Sequence, residues 1–107
     1  MRTNRKWGYY DVLASGKTNG VAWKIKKLVI FPGEYTSMQR HFFRSEFWID
    51  DTGGTHIIEV KRWHQISNST SKKRVLIELQ WGKACRENDI ERATWESNWP
   101  KDEIKAI

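Results

Sequence analysis

Between Arg74 and Trp81 the side chains alternate: Val75, Ile77, Leu79 and Trp81 fall on one parity, Leu76, Glu78 and Gln80 on the other. Period two belongs to a strand with two distinct faces, whereas a helix would mix the two sets around its circumference. A second run, Val21 to Ile30, sets Trp23, Ile25 and Lys27 against Lys24, Lys26 and Leu28, the pattern of a half-exposed strand. Trp7 to Leu13, Tyr35 to Phe42 and Ser45 to Ile49 are further β-prone runs, and Thr55 to Ile66 reads as one more. Met1 to Lys6 is polar and basic, an arm or the start of an edge strand. Turn residues separate the runs: Ser15 to Gly20, Pro32-Gly33, Asp50-Asp51-Thr52-Gly53-Gly54 as a hairpin loop, and Asn68 to Lys73. Asn88 to Trp95 is the one stretch expected to form a helical turn, with Asn98-Trp99-Pro100 closing the ordered part. The chain predicts a single all-β domain over residues 1–107.

Within that frame the stretch Met38 to Trp48 carries the chemistry. Gln39 and His41 are two apart and leave the same face of a strand, and Glu46 returns to that face once the chain bends near Arg44 and Ser45. Imidazole and carboxylate suit zinc, manganese, iron or nickel, with a neutral amide oxygen as a weaker addition. The missing ligand belongs on a later strand, where His64 is the first choice; an unbroken strand from Thr55 to Ile66 puts His56 on the same face and makes it a rival. Glu78 and Gln80 share a face of the closing strand, where they line a pocket or simply face water.

The order of these residues resembles the two-part signature of the cupins. Pro32-Gly33, Gln39-x-His41, Glu46, a distant His64 and Asn68 are similar to the carboxy-terminal cupin domain of type II mannose-6-phosphate isomerases. Arg5-Lys6-Trp7-Gly8 resembles that family's opening, and Leu76 to Gly82 with Glu87 to Arg92 its closing strand and tail. Four departures accompany the likeness, one being that the Pro-x-Gly turn usual before the last histidine is absent. His41-Phe42-Phe43 stands where the family has three histidines, Phe47 where it has a histidine after the glutamate, and the segment from Glu46 to His64 is shorter. The resemblance implies a small, trimmed cupin barrel holding a divalent metal, zinc in the first place, on Gln39, His41, Glu46 and His64. It also implies Arg44 as the catalytic residue, steadying an enediolate, and Arg92 as a phosphate contact. The activity implied is interconversion of mannose 6-phosphate and fructose 6-phosphate or a related sugar phosphate. The alternative is a mini-cupin that binds sugar or metal without turnover.

Composition narrows the partners. The formal net charge of +6 would suit nucleic acid, but the basic residues are scattered among acidic ones, and a phosphorylated small molecule uses such charge equally well. Cys85 has no second cysteine to pair with, and no apolar run approaches the roughly twenty residues of a membrane span, so the expected compartment is the cytoplasm. A trimmed barrel leaves sheet edges, and these predict a homodimer through an edge strand or an exchanged amino-terminal strand, with Trp7 or Trp99 in the contact.

Overall fold

The computed structural model describes residues 1–101 and 103–107. The described residues are all-β, in ten strands: β1 Arg2–Arg5, β2 Gly8–Thr18, β3 Val21–Ile30, β4 Gln39–Arg40, β5 Arg44–Ile49, β6 Thr55–Ile58, β7 His64–Gln65, β8 Arg74–Gly82, β9 Glu91–Arg92 and β10 Lys105–Ala106. Six of them form one sheet in the order β1-β2-β3-β8-β5-β6, and four short ones a second sheet in the order β10-β7-β4-β9. The second sheet covers the inner face of the first, with the His64 and Trp48 rings 5.5 Å apart and Ile66 packed with Tyr10, Leu28, Ile30, Trp48, Ile58 and Leu76 in the core. The two sheets do not close into a barrel.

The alternation in β8 is realised along its whole length: Leu76, Glu78 and Gln80 are buried, and Val75, Ile77, Leu79 and Trp81 face outward. The turn expected from Ser15 to Gly20 is much tighter. Only Asn19 and Gly20 turn, both with positive φ, 49° and 80°, as a two-residue hairpin requires, so β2 and β3 run on to Thr18 and from Val21. The Asp50 loop is the expected hairpin, with the Asp50 carboxylate accepting from Thr52 N, Thr52 Oγ1 and Gly54 N.

Three expectations need correction. Tyr35 to Phe42 pairs only at Tyr35, opposite Ser67, and over Gln39–Arg40. Thr55 to Ile66 is two strands, β6 and β7, because the chain turns at Val60 and Lys61, where Lys61 takes φ 70°. The helical turn expected over Asn88 to Trp95 is absent: Glu91–Arg92 are extended and pair with β4, and a turn follows at 95–98. Competition from the unpaired edge of β4 decides this, since pairing satisfies backbone groups that a short isolated helical turn would leave open.

Candidate functional site

Each side chain of the predicted metal set is placed by its own piece of backbone. His41 follows β4 at a sharp bend, where the Asp89 carboxylate accepts the N–H groups of Phe42 at 2.9 Å and Phe43 at 3.0 Å. Glu46 lies on the inward face of β5, between Gln80 of β8 and Ile58 of β6. His64 lies on β7, paired with Gln39 on one side and Lys105 on the other. Gly82 lets β8 pass close beside the start of β5; a Cβ there would lie 2.2 Å from the Phe43 carbonyl oxygen and 2.8 Å from the Arg44 Cα.

The three groups converge. His41 Nε2 is 3.3 Å and His64 Nε2 3.5 Å from opposite oxygens of the Glu46 carboxylate, and the imidazole rings are 4.9 Å apart. All three residues are buried. The tautomers follow from the far side of each ring. His41 Nδ1 lies 2.6 Å from the Asp89 carbonyl and His64 Nδ1 2.9 Å from the Arg62 carbonyl. A carbonyl only accepts, so Nδ1 carries the proton and Nε2 is a bare lone pair. Burial first, then the Arg44 charge and His64, lowers the His41 pKa to about 4, and burial pushes His64 down as well, so both rings stay neutral at pH 7. Two lone pairs and a carboxylate facing one another need a cation among them. Arg44 supplies part of it: Nε donates to Glu46 Oε2 at 3.0 Å, and Nη2 lies 3.2 Å from His41 Nε2. His64 Nε2 has no hydrogen-bond partner among the described residues.

That orphaned nitrogen, and nitrogen and oxygen atoms all within 4.8 Å of one another, fit a divalent metal held by His41, Glu46 and His64. Carbonyl acceptors on the far nitrogens are what ligating histidines ordinarily have. Gln39 lines the same cavity, but its Oε1 accepts from Ser37 Oγ at 3.3 Å. His56 is elsewhere, with its Nε2 2.9 Å from Asp50 Oδ2 on the hairpin. Held at the hairpin end by Asp50, it does not join the converging group of His41, Glu46 and His64.

The cavity beside these ligands measures about 290 Å³, at the small end of the range for ligand pockets, about 300–1,000 Å³. Arg44 and Glu78 line it, as does Arg92, an exposed residue on β9; Arg5 and Lys6 add further cations. Glu78 and Gln80 are buried rather than facing water, joined by Gln80 Nε2 to Glu78 Oε2 at 2.7 Å. Trp48 Nε1 donates to both Glu46 Oε1 at 3.2 Å and Glu78 Oε1 at 3.1 Å, and so ties the ligand carboxylate to its neighbour. Burial, helped by the Glu46 charge, pushes the Glu78 carboxyl up to about 7. Lys26 was not singled out from sequence; it lines the cavity, is buried over the Tyr10 ring and is paired with Glu87. Its parity with Leu28 on β3 was the available signal.

Comparison with known proteins bears on the family and the fold. A family model described as "Mannose-6-phosphate isomerase C-terminal" matches residues 1–94. Among curated relatives, a mannose-1-phosphate guanylyltransferase of Sinorhizobium fredii is 28% identical, with 87% of this chain and 20% of the relative aligned. The alginate biosynthesis protein AlgA of Pseudomonas aeruginosa is 28% identical over 82% of this chain and 21% of its own length. The mannose-1-phosphate guanylyltransferase RfbM of Salmonella typhimurium is 27% identical over 92% and 23%. The chain thus spans about a fifth of the length of these relatives. Among solved structures, the capsular polysaccharide assembling protein CapF of Staphylococcus aureus superposes with a TM-score of 0.58 at 9% identity, over 86% of this chain and 31% of CapF, a likeness of fold.

Proposed function

This chain belongs to the mannose-6-phosphate isomerase C-terminal family, a family of cupin-like domains, and from that premise we propose that its cavity is a metal-dependent sugar-phosphate isomerase site. The observation that carries the reading is the convergence of two bare imidazole nitrogens and a carboxylate beside a cavity lined with arginine and lysine. Under it, the substrate is mannose 6-phosphate, fructose 6-phosphate or a related sugar phosphate. His41, Glu46 and His64 hold a divalent metal, zinc before manganese, iron or nickel, with Gln39 as the fourth ligand once its amide turns from Ser37. When bound, the metal polarises the sugar oxygens at C1 and C2.

The remaining roles fall to the chain's own groups. Arg92, with Arg5 and Lys6, meets the phosphate, whose oxygens pair well with guanidinium forks. Glu78 is the group able to carry a proton near neutral pH; it takes the proton from one of the two carbons and returns it to the other, while the hydroxyl proton passes between the C1 and C2 oxygens of the enediolate. Arg44 faces the negative charge that develops on oxygen in between. Gln80 holds the Glu78 carboxylate in place.

A second reading is favoured by one contact. Arg44 engages both His41 Nε2 and Glu46 Oε2, so the guanidinium meets part of the demand for a cation, and a pocket of that kind binds sugar phosphate without turning it over. A coupled isomerase assay with each divalent metal, on wild type and Arg44→Ala, separates the two. Metal-dependent turnover lost in Arg44→Ala is the expected result. Sugar-phosphate binding by calorimetry without turnover in any metal replaces the first reading with the second.

A further inference from the structure

The turn at 95–98 holds two indoles outside the apolar core. Trp95 and Trp99 lie four residues apart and stack, with ring centroids 4.0 Å apart and planes 11° from parallel. The backbone around them is closely tied. Ala93 N donates to Met38 O at 2.9 Å and anchors the segment beside β4, while the Asn98 carboxamide closes the turn, accepting from Thr94 N at 2.8 Å and donating to Arg92 O at 3.1 Å. Thr94 Oγ1 and Ser97 Oγ share a further hydrogen bond of 3.0 Å. One face of Trp95 lies against Trp99 and the other is open, the residue being 75% exposed. Tyr35, held opposite Ser67 and 62% exposed, is a third aromatic, and with both indoles it lines a groove of about 530 Å³. The groove is separate from the cavity beside His41; among the described residues Ser37 alone borders both.

We propose that this groove binds a neutral pyranose, alone or within a short saccharide, with its ring laid on Trp95. The electron-rich indole face attracts the C–H groups of a pyranose, which the ring hydroxyls polarise, and covers the apolar side of the sugar. The hydroxyls at the sugar's edge both donate and accept, and the lining answers both needs. Ser37, Ser67 and Thr94 offer hydroxyls and Glu96 a carboxylate, while Gln65 Nε2 donates to Thr36 O at 2.9 Å and leaves its Oε1 as an acceptor. Charge excludes the other ligands that stack on indoles with phosphate attached. Nucleotides and single-stranded nucleic acids need cations beside the aromatics, and so does a sugar phosphate. Glu96 is the one charged residue lining the groove among the described residues, whereas Arg5, Lys6, Lys26, Arg44 and Arg92 line the cavity. A proline-rich segment also lies in aromatic grooves, but its carbonyls only accept and proline has no N–H, so Glu96 and Gln65 Oε1 would face it without a donor. The proposal is independent of the reaction assigned to the cavity.

Titration of the intact chain with cellobiose and with mannobiose, both neutral, tests it, read on the indole N–H signals of the seven Trp by proton–nitrogen correlation NMR. The Trp95 and Trp99 signals, assigned by their absence from Trp95→Ala and Trp99→Ala, are expected to shift and to saturate in the millimolar range with at least one of the two sugars. Trp95→Ala, at a position exposed enough to be harmless to folding, weakens that binding about tenfold as read on Trp99. Mannose 6-phosphate leaves both signals in place; a shift of Trp7 or Trp48, which line the cavity, reports binding there instead. Three results overturn the proposal: neither signal moves with either disaccharide at tens of millimolar, the affinity is unchanged in Trp95→Ala, or a proline-rich peptide or mannose 6-phosphate shifts the two signals where the neutral sugars do not.

Discussion

His64 Nε2 is the atom on which the site's reading turns, because it is buried, deprotonated and faces a carboxylate with no donor between them. If a metal fills that need, zinc titration by calorimetry gives one equivalent bound to wild type. Removing an outer-shell partner of a ligand costs about 10- to 100-fold in affinity, so removing the ligand itself in His64→Ala costs at least about 100-fold. Glu78 offers a second test. Its folded pKa of about 7 lies above the ordinary value of 4.5. In acid both folded and unfolded chains are protonated there, and its contribution to stability is intact; as pH rises from 4.5 towards 7 the unfolded chain ionises first and that stability is lost. Glu78→Gln is expected to flatten the fall over this window in thermal melts, with a gain above pH 7 on the order of 3 kcal/mol. In the isomerase reading the same substitution removes the rise of turnover with pH through 7.

At the scale of elements, the long strands were legible and the short ones were not. β3 and β8 declare themselves by alternation, and the Asp50 hairpin by its turn residues. β4, β7, β9 and β10 are two residues each, too short for any period, and exist because they pair with one another. The same limit applies to the site. Gln39, His41 and Glu46 were readable as a set, though not on one face: β4 and β5 belong to opposite sheets and bring them together across the cavity, and the choice of His64 over His56 depends on the backbone turning at Lys61. The carbonyls that fix both tautomers, Asp89 and Arg62, come from loops without a sequence signal. The hairpin is itself testable. Hydrogen bonds from His56 first, then from Thr52 and Gly54, hold the Asp50 carboxyl well below the ordinary carboxylate range. A depressed folded pKa means stability present above the unfolded value near 4 and lost as pH falls towards the folded one. Asp50→Ala should therefore lower the melting temperature at pH 7 and leave the variant's stability less dependent on pH below 4, as read from melts across that range.

For the molecule as a whole, the inner face of the large sheet carries Lys26, Glu46, Glu78 and Gln80 beside its apolar core, so part of what would be core is a charged cavity. The buried apolar cluster is small, and beside it lie Lys26, Arg44, Glu46 and Glu78, which tolerate burial because Lys26 pairs with Glu87, Arg44 pairs with Glu46, and Glu78 accepts from Trp48 and Gln80. Such a centre is stabilised most by a ligand that the folded chain binds and the unfolded chain does not. A metal at about 100 times its dissociation constant adds about 2.7 kcal/mol. For a domain of about 100 residues, each kcal/mol moves the melting temperature by roughly 4–8 °C. Saturating zinc or manganese should therefore raise the wild-type melting temperature by on the order of 10 °C, and His64→Ala should abolish the rise while keeping the fold. Arg44→Ala distinguishes metal from guanidinium as the native cation. If the metal binds alongside Arg44, the variant responds as wild type does. If the guanidinium already occupies the ligands, the wild type responds weakly and the variant strongly, because His41 Nε2 and Glu46 Oε2 have been released. A melting temperature that moves in neither protein, with zinc, manganese, iron or nickel, leaves Arg44 as the cation of the site and the cavity as one that binds without a metal.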